Sequence, residues 1–213
     1  MSDNTPPWAY EQPAVHPHDP RLIEQAEVER ARLAELLRPW LADGADGADR
    51  ADRADRADGA DGADGVEHVG STSVPGLAAK PIIDLMAQVT DLDAFVDQAG
   101  ERLWAAGWHY VPPDLDGRRW RRFFVKPDPS GQHRSAHLHV IGVGHQRWAQ
   151  QIAFRDALRR DDDLARRYGD LKRGLAAEHP DDREAYTEAK AEFIAEALAH
   201  ETPEPPEPPR DNT

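Results

Sequence analysis

The chain has 213 residues, which at roughly 150 residues per domain allows one core with tails. Its 26 Lys and Arg against 40 Asp and Glu leave a net charge of −14, so nucleic acid is a poor partner, because phosphate backbones repel such a surface. Cysteine is absent, which excludes disulfides, thiolate metal sites and cysteine nucleophiles.

No apolar run approaches the ~20 residues of a membrane span, so no membrane partner is expected. Met1–Tyr10 is polar and proline-bearing and lacks the charged-then-apolar order of a secretion leader, so the expected location is the cytoplasm. Three stretches have compositions that bury too little to offset the entropy of ordering. They are 1–20, rich in proline; 42–65, eight consecutive Ala-Asp-Gly or Ala-Asp-Arg triplets; and 201–213, where prolines alternate with acids. The triplet tract carries eight Asp and three Arg and is read as a disordered low-complexity insertion, with weak cation binding as the functional alternative. That leaves one folding domain over 21–200.

In chain order, Leu22–Leu41 predicts a helix, with Ile23, Ala26, Leu33 and Leu37 at helical spacing. Val66–Gly70 predicts a short strand, Ser71–Lys80 a turn or short helix, and Ile82–Val89 a buried strand. Leu92–Ala106 predicts a helix ended by Gly107. Arg121–Lys126 and His137–Val143 predict strands by their β-branched and aromatic content. Helices then fill the rest: His145–Arg160, a second on the Leu164, Tyr168, Leu171, Leu175 stripe, and a third opening at Asp181 and Glu184. The fold class is α+β, a small mixed sheet with a helical C-terminal third.

The stretch Val66–Val89 carries the most chemistry. A strand runs into Gly70, Ser71, Thr72 and Ser73, where glycine allows close backbone approach and the hydroxyls and N–H groups supply donors for an anion. On the next strand, alternation puts Ile82, Asp84 and Met86 on one face and Ile83, Leu85 and Ala87 on the other. Asp84 is therefore an acid in an apolar run. It needs a metal, a cation or several N–H donors; hydrogen bonding to the Gly70–Ser73 turn is the purely structural alternative.

On the strand His137–Val143, His137 and His139 share a face and stand two apart, a spacing that can ligate one transition metal. With Asp84, and His68 as a further candidate, they would make a His/Asp site; the alternative is a pair of polar residues lining a cleft. A third histidine at Ile141 would point to a histidine-triad hydrolase and is absent. Arg118, Arg119, Arg121, Arg122 and Lys126 form a basic island in an acidic chain, either an anion-binding edge or a solvated strand. By alternation Arg121 or Arg122 turns toward a cleft. At about 100° per residue, Arg155 falls inside the apolar arc of Trp148, Ile152 and Leu158, and Lys190 inside that of Tyr186, Phe193 and Ala197. Inward cations like these pair with buried acids, Asp84 among them, or meet a ligand anion.

The block GSTSVPGLAAKPIIDL, followed in order by HLHV, FRDALR, YGDLKRGLA and YTEAKAEFI, resembles the bacterial GrpB family over roughly Val66–Leu198. More broadly, Gly-Ser followed by an aspartate on the next strand resembles the nucleotidyltransferase superfamily. Similar domains occur fused behind dephospho-coenzyme A kinase in some bacteria. The resemblance implies a nucleotidyltransferase-like mixed sheet, with Gly70 and Ser71 at the phosphates, Asp84 as the first acid holding Mg²⁺ or another divalent cation, and Arg155 and Lys190, inside the FRDALR and YTEAKAEFI motifs, balancing phosphate charge; the residues themselves add Thr72, Ser73, Lys80 and Arg121 as candidate phosphate contacts. The family pattern places a second acid two residues on, where this chain has Met86, and a thioether does not bind Mg²⁺.

Three functions follow as expectations, each with a small phosphate or nucleotide ligand. The first is nucleotidyl transfer to a hydroxyl acceptor, with Asp84 catalytic. The second is a non-catalytic ligand-binding or chaperone-like domain with a degenerate metal site, favoured by Met86. The third is a metal-dependent phosphate-ester hydrolase on Asp84, His137 and His139. The sequence names neither the nucleotide, the acceptor nor the oligomeric state.

Overall fold

The computed structural model describes residues 6–10, 14–42, 65–178 and 183–201. The expected insertion at 42–65 and tail at 201–213 therefore lie almost wholly outside the described residues, as does Asp181 of the expected helix start. Elements follow in the order α1 (Arg21–Leu37), β1 (Val66–Val69), a 3-10 turn (Ser71–Ser73), β2 (Ile83–Val89) and α2 (Phe95–Ala105). Then come β3 (His109–Val111), α3 (Pro113–Asp116), β4 (Arg121–Pro127), β5 (Arg134–Gly142), α4 (Arg147–Arg160), α5 (Asp162–Glu178) and α6 (Arg183–Glu201). This is the expected α+β class with its helical C-terminal part. The expected helix at Leu92 starts three residues later, at Phe95, and β3 and α3 are additional elements.

The five strands form one mixed sheet in the order β1-β2-β5-β4-β3. Only β2 and β5 run parallel; the other pairs are antiparallel. The register sets Asp84 beside His137 and Met86 beside His139 on β2 and β5, with Val69 beside Asp84 and Glu67 beside Met86 on β1. Because side chains alternate, these residues share one face.

The opposite face is the main core. Val66, Leu85, Ala87, Leu138, Val140 and Phe124 are buried there with Leu33 and Leu37 of α1 and Phe95 and Leu103 of α2. Full burial of a Leu or Phe contributes about 1.5–3 kcal/mol each, which makes this side the rigid backing of the sheet. His68 also turns away from Asp84. It is fully buried, and its Nε2 meets the Thr72 hydroxyl at 3.0 Å.

Two expectations about domain limits change. Part of the segment 1–20, expected to be disordered, packs on the sheet: Trp8 is buried with Phe123 and Val125, and the Arg134 guanidinium donates to the carbonyls of Trp8 (2.8 Å) and Ala9 (2.7 Å). One indole and two charge-assisted hydrogen bonds offset the ordering of a short proline-rich segment. The single domain expected over 21–200 is divided into two compact units, Met1–Arg155 and Asp156–Thr213. In the second unit, Tyr168 stacks on Phe193 (centroids 5.4 Å apart) and Lys172 lies over the Tyr168 ring. Lys190 is half-buried there. Burial, with Lys190 and Arg173 adding repulsion, pushes the Lys172 ammonium down to about 7.

A candidate Asp–His centre on the sheet

Asp84 stands at the start of β2 directly against Gly70. A Cβ built on Gly70 would lie 2.6 Å from Asp84 Oδ2, and Gly70 has φ +73°, the left-handed region that favours glycine. The glycine expected to admit an anion thus admits this carboxylate. The Asp84 Oδ1 atom accepts from His137 Nδ1 at 3.0 Å and lies 3.5 Å from His139 Nε2. Two imidazoles of β5 thus grip this carboxylate.

His139 is held from its other side. Its Nδ1 meets the Arg121 guanidinium, which also makes a two-pronged pair with Asp116 at 2.6 and 2.8 Å. The chain Asp116–Arg121–His139–Asp84–His137 therefore runs across three strands and the short helix α3. Phe123 walls it, 5.1 Å from the His137 ring and 5.2 Å from the His139 ring. His137 Nε2 is buried and has no hydrogen-bond partner among the described residues.

Burial alone would raise the Asp84 carboxyl. The hydrogen bonds from His137 and His139 outweigh it and hold the group well below the usual carboxylate range. Its side chain keeps 32% of its surface open, so solvent shares in that stabilisation. Burial pushes His139 down to about 4; the Asp84 hydrogen bond pulls it up, and the Arg121 charge adds to the downward push. His139 is thus neutral at pH 7. For Asp116, burial raises and the Arg121 hydrogen bond lowers, with the net direction down.

The structure brings together Asp84, His137, His139 and Arg121, with Gly70 and Ser71 alongside. Four of the expected hydroxyl and cation contacts, Thr72, Ser73, Arg155 and Arg121, are engaged within the fold. The Thr72 hydroxyl turns inward to His68 and the Ile82 carbonyl, and the Ser73 hydroxyl donates to the Gly70 carbonyl at 2.6 Å, closing its own turn. Arg155 pairs with Glu67, not Asp84: its Nη1 lies 2.7 Å from Glu67 Oε2 and 3.0 Å from the His68 carbonyl. Both side chains are at most 5% exposed, so each charge needs the other. Of the basic island, Arg121 is committed to Asp116, Arg122 to Asp93 and Lys126 to Glu29. Lys80 is exposed.

Sequence reasoning missed Glu67 and Asp116. A lone acid inside the four-residue strand VEHV was the available signal for the first. The signal for the second was an acid just before the Gly117 turn, five residues ahead of Arg121.

Asp84, His137 and His139 offer ligand atoms that all lie within 4.8 Å of one another. Mg²⁺ nevertheless does not fit the set. A hard cation of that size needs an oxygen-rich shell, and here one carboxylate faces two imidazoles, with a 2%-exposed Met86 where a second acid would stand. A standard two-metal centre is not assembled on this face.

What the fold and the centre define is an α+β protein with a five-stranded mixed sheet and an Asp–His cluster on its less apolar face. The GrpB protein family model matches residues 12–200, and the chain belongs to that family. It is 40% identical over 130 residues to the UPF0157 protein YqkA of Bacillus subtilis (strain 168), a match covering 61% of this chain and 36% of that protein. The chain thus spans about a third of that relative's length. The crystal structure of the conserved protein GrpB from Enterococcus faecalis aligns at 30% identity and a TM-score of 0.66, over 88% of this chain and 99% of that one. A weaker likeness, to Cid1 in complex with its short product ApU, has 14% identity and a TM-score of 0.47, over 76% of this chain and 42% of that one. At that level it carries no activity across. Among the described residues no helix is long and apolar enough to cross a membrane.

Proposed function

We propose that this domain binds a phosphorylated small molecule, a nucleotide or a coenzyme A precursor, in front of Asp84, and that it does not perform two-metal nucleotidyl transfer. One observation carries the reading. Asp84 is a partly open carboxylate, pressed against a Cβ-less residue and gripped by two imidazoles, on a sheet whose other face is a closed apolar core. Such a centre is costly to build. By the family resemblance, the ligand phosphates lie at the Gly70–Ser71 backbone, with Lys80 as a further phosphate contact. Arg121 and Arg155 are left out of that role, because Asp116 and Glu67 already neutralise them. A ligand hydroxyl then falls to Asp84 and His137.

A thermal-shift screen of nucleotides and coenzyme A precursors, each with and without Mg²⁺ or Mn²⁺, tests the reading. A ligand at 100 times its Kd should add roughly 2.7 kcal/mol. The expected result is a stabilising ligand whose effect does not depend on Mg²⁺. A gain that appears only with Mg²⁺ would restore the metal-dependent transferase or hydrolase, and no gain with any ligand would remove the binding function.

A further inference from the structure

Three cationic or titratable groups stand out beyond the phosphate turn: the Lys172 and Lys190 pair, the Glu67–Arg155 pair, and Arg121 against His139. The last is carried furthest, because hydrogen-bond chemistry fixes where the protons sit.

An arginine guanidinium only donates, so the nitrogen it meets must accept. Arg121 meets Nδ1 of His139. That atom therefore carries the lone pair, and in the neutral ring the proton sits on Nε2. The ionised Asp84 carboxylate only accepts, and Nε2 of His139 faces its Oδ1 at 3.5 Å, as this tautomer requires. His137 is oriented by the same oxygen. Its Nδ1 lies 3.0 Å from Asp84 Oδ1 and must bear the proton there. Both imidazoles thus point an N–H at Asp84. The bare nitrogen left over in the centre is Nε2 of His137, which is buried and has no partner among the described residues.

A metal-ligating histidine needs the reverse. Its ligating nitrogen is bare, and its other nitrogen donates to a carboxylate, carbonyl or water. For His139 to turn Nε2 to a cation shared with Asp84, its proton would have to move to Nδ1 and face the N–H of Arg121. The guanidinium is locked in place by its two-pronged pair with Asp116 and is almost fully buried, so it cannot swing away at low cost. Its positive charge also opposes a second cation beside it.

We propose that Arg121 holds this centre in a metal-refusing proton arrangement, leaving His137 Nε2 to accept a hydrogen bond from a hydroxyl of the ligand. Arg121 is a positioning residue in this account; it acts through His139. The inference deepens the proposed function by assigning the ligand hydroxyl to one nitrogen, and in that respect it rests on that reading. Its test needs only the protein and a metal ion, so the two can fail separately.

The test has two arms on the full chain. Two-bond ¹H–¹⁵N spectra of the wild type read the tautomers directly. The expected pattern is a proton on Nδ1 of His137 and on Nε2 of His139, unchanged when Zn²⁺ is added at one equivalent. Titration calorimetry with Zn²⁺ then compares wild type, Arg121→Met and Arg121→Met with His139→Gln. Removing the donor frees Nδ1, so Arg121→Met should gain a site of one ion per chain, tighter by about 10- to 100-fold than any wild-type binding, the span over which neighbouring partners tune metal affinity. His139→Gln should abolish that gain. A wild type that binds one Zn²⁺ per chain, and loses it on His139→Gln, would overturn the proposal. So would a His139 ring protonated on Nδ1, a reading that stands even if Arg121→Met does not fold.

Discussion

The two faces of the one sheet are built on opposite principles. Leu85 and Leu138 on the first are fully buried among other apolar side chains, and every neighbour there could be exchanged for another of similar volume. Asp84 and His137, one residue away in the same strands, belong to a chain of charges and imidazoles in which each member fixes the proton of the next. Volume decides the first face and donor–acceptor matching the second. On the second face the polar chain is flanked by apolar patches, Val69, Met86 and Ile141 on one side and Trp8, Phe123 and Val125 on the other. The strand β2 is therefore not apolar on both sides, as its composition suggests; Asp84 has polar company drawn from β4 and β5.

The largest effects should come from breaking the two faces in their own ways. Arg155→Ala removes the guanidinium that pairs with the buried Glu67 and should cost about 3–5 kcal/mol in denaturant unfolding, while the exposed Arg159→Ala should cost far less. Arg155→Met with Glu67→Leu should recover most of the loss, since the charges stabilise each other more than they stabilise the fold. Equal small effects of the two alanine variants would place Arg155 at the surface. On the opposite face, Leu138→Ala should cost about 2–5 kcal/mol and Leu138→Met under about 1.5. Ligand binding by the folded fraction should be untouched in both.

A smaller loss is expected at Gly70. Gly70→Ala puts a Cβ into the Asp84 carboxylate at a positive φ, and should cost about 1–2 kcal/mol while displacing Asp84 from His137. Chemical shifts of the His137 ring would report the displacement. A further test is the pH dependence. His139 has a folded pKa of about 4 against an ordinary 6.5, so between those values the unfolded chain binds more protons. Stability from this group is therefore present above about pH 6.5 and lost as the pH falls toward 4. His139→Gln should flatten the fall of Tm across that window; an unchanged slope would mean that His139 binds its proton equally well folded and unfolded.

Much of this contrast was legible in the sequence, and for one reason. A period of two assigns faces without any knowledge of neighbours, so the shared face of Asp84 with Met86, and of His137 with His139, follows from β2 and β5 alone. Helical periodicity likewise placed Arg155 inside an apolar arc. What could not be read was which element answers which. Glu67 meets Arg155 across 88 positions and Arg134 meets Trp8 across 126, and nothing local encodes either pairing. The short β3 and α3 escaped because Pro112 and Pro113 interrupt the pattern and three or four residues hold too little periodicity to register. Asp116, which aims Arg121 at His139, was lost with them. The likeness to GrpB proteins supplied the family early, but the partners of Arg121 and Arg155 came only from the fold.

The central claim is that Asp84 serves a ligand and not merely the sheet. Asp84→Asn keeps the shape, removes the negative charge and turns one of the two acceptor oxygens into a donor. Melting wild type and Asp84→Asn side by side, each with and without the best stabilising nucleotide or coenzyme A precursor, tests it most directly. The account predicts that the ligand raises the wild-type Tm and that Asp84→Asn, still folded, gains little or nothing from the same concentration. An Asp84→Asn protein that is less stable by about 1–3 kcal/mol but gains as much from the ligand as wild type does would contradict it, and would make Asp84 a structural residue.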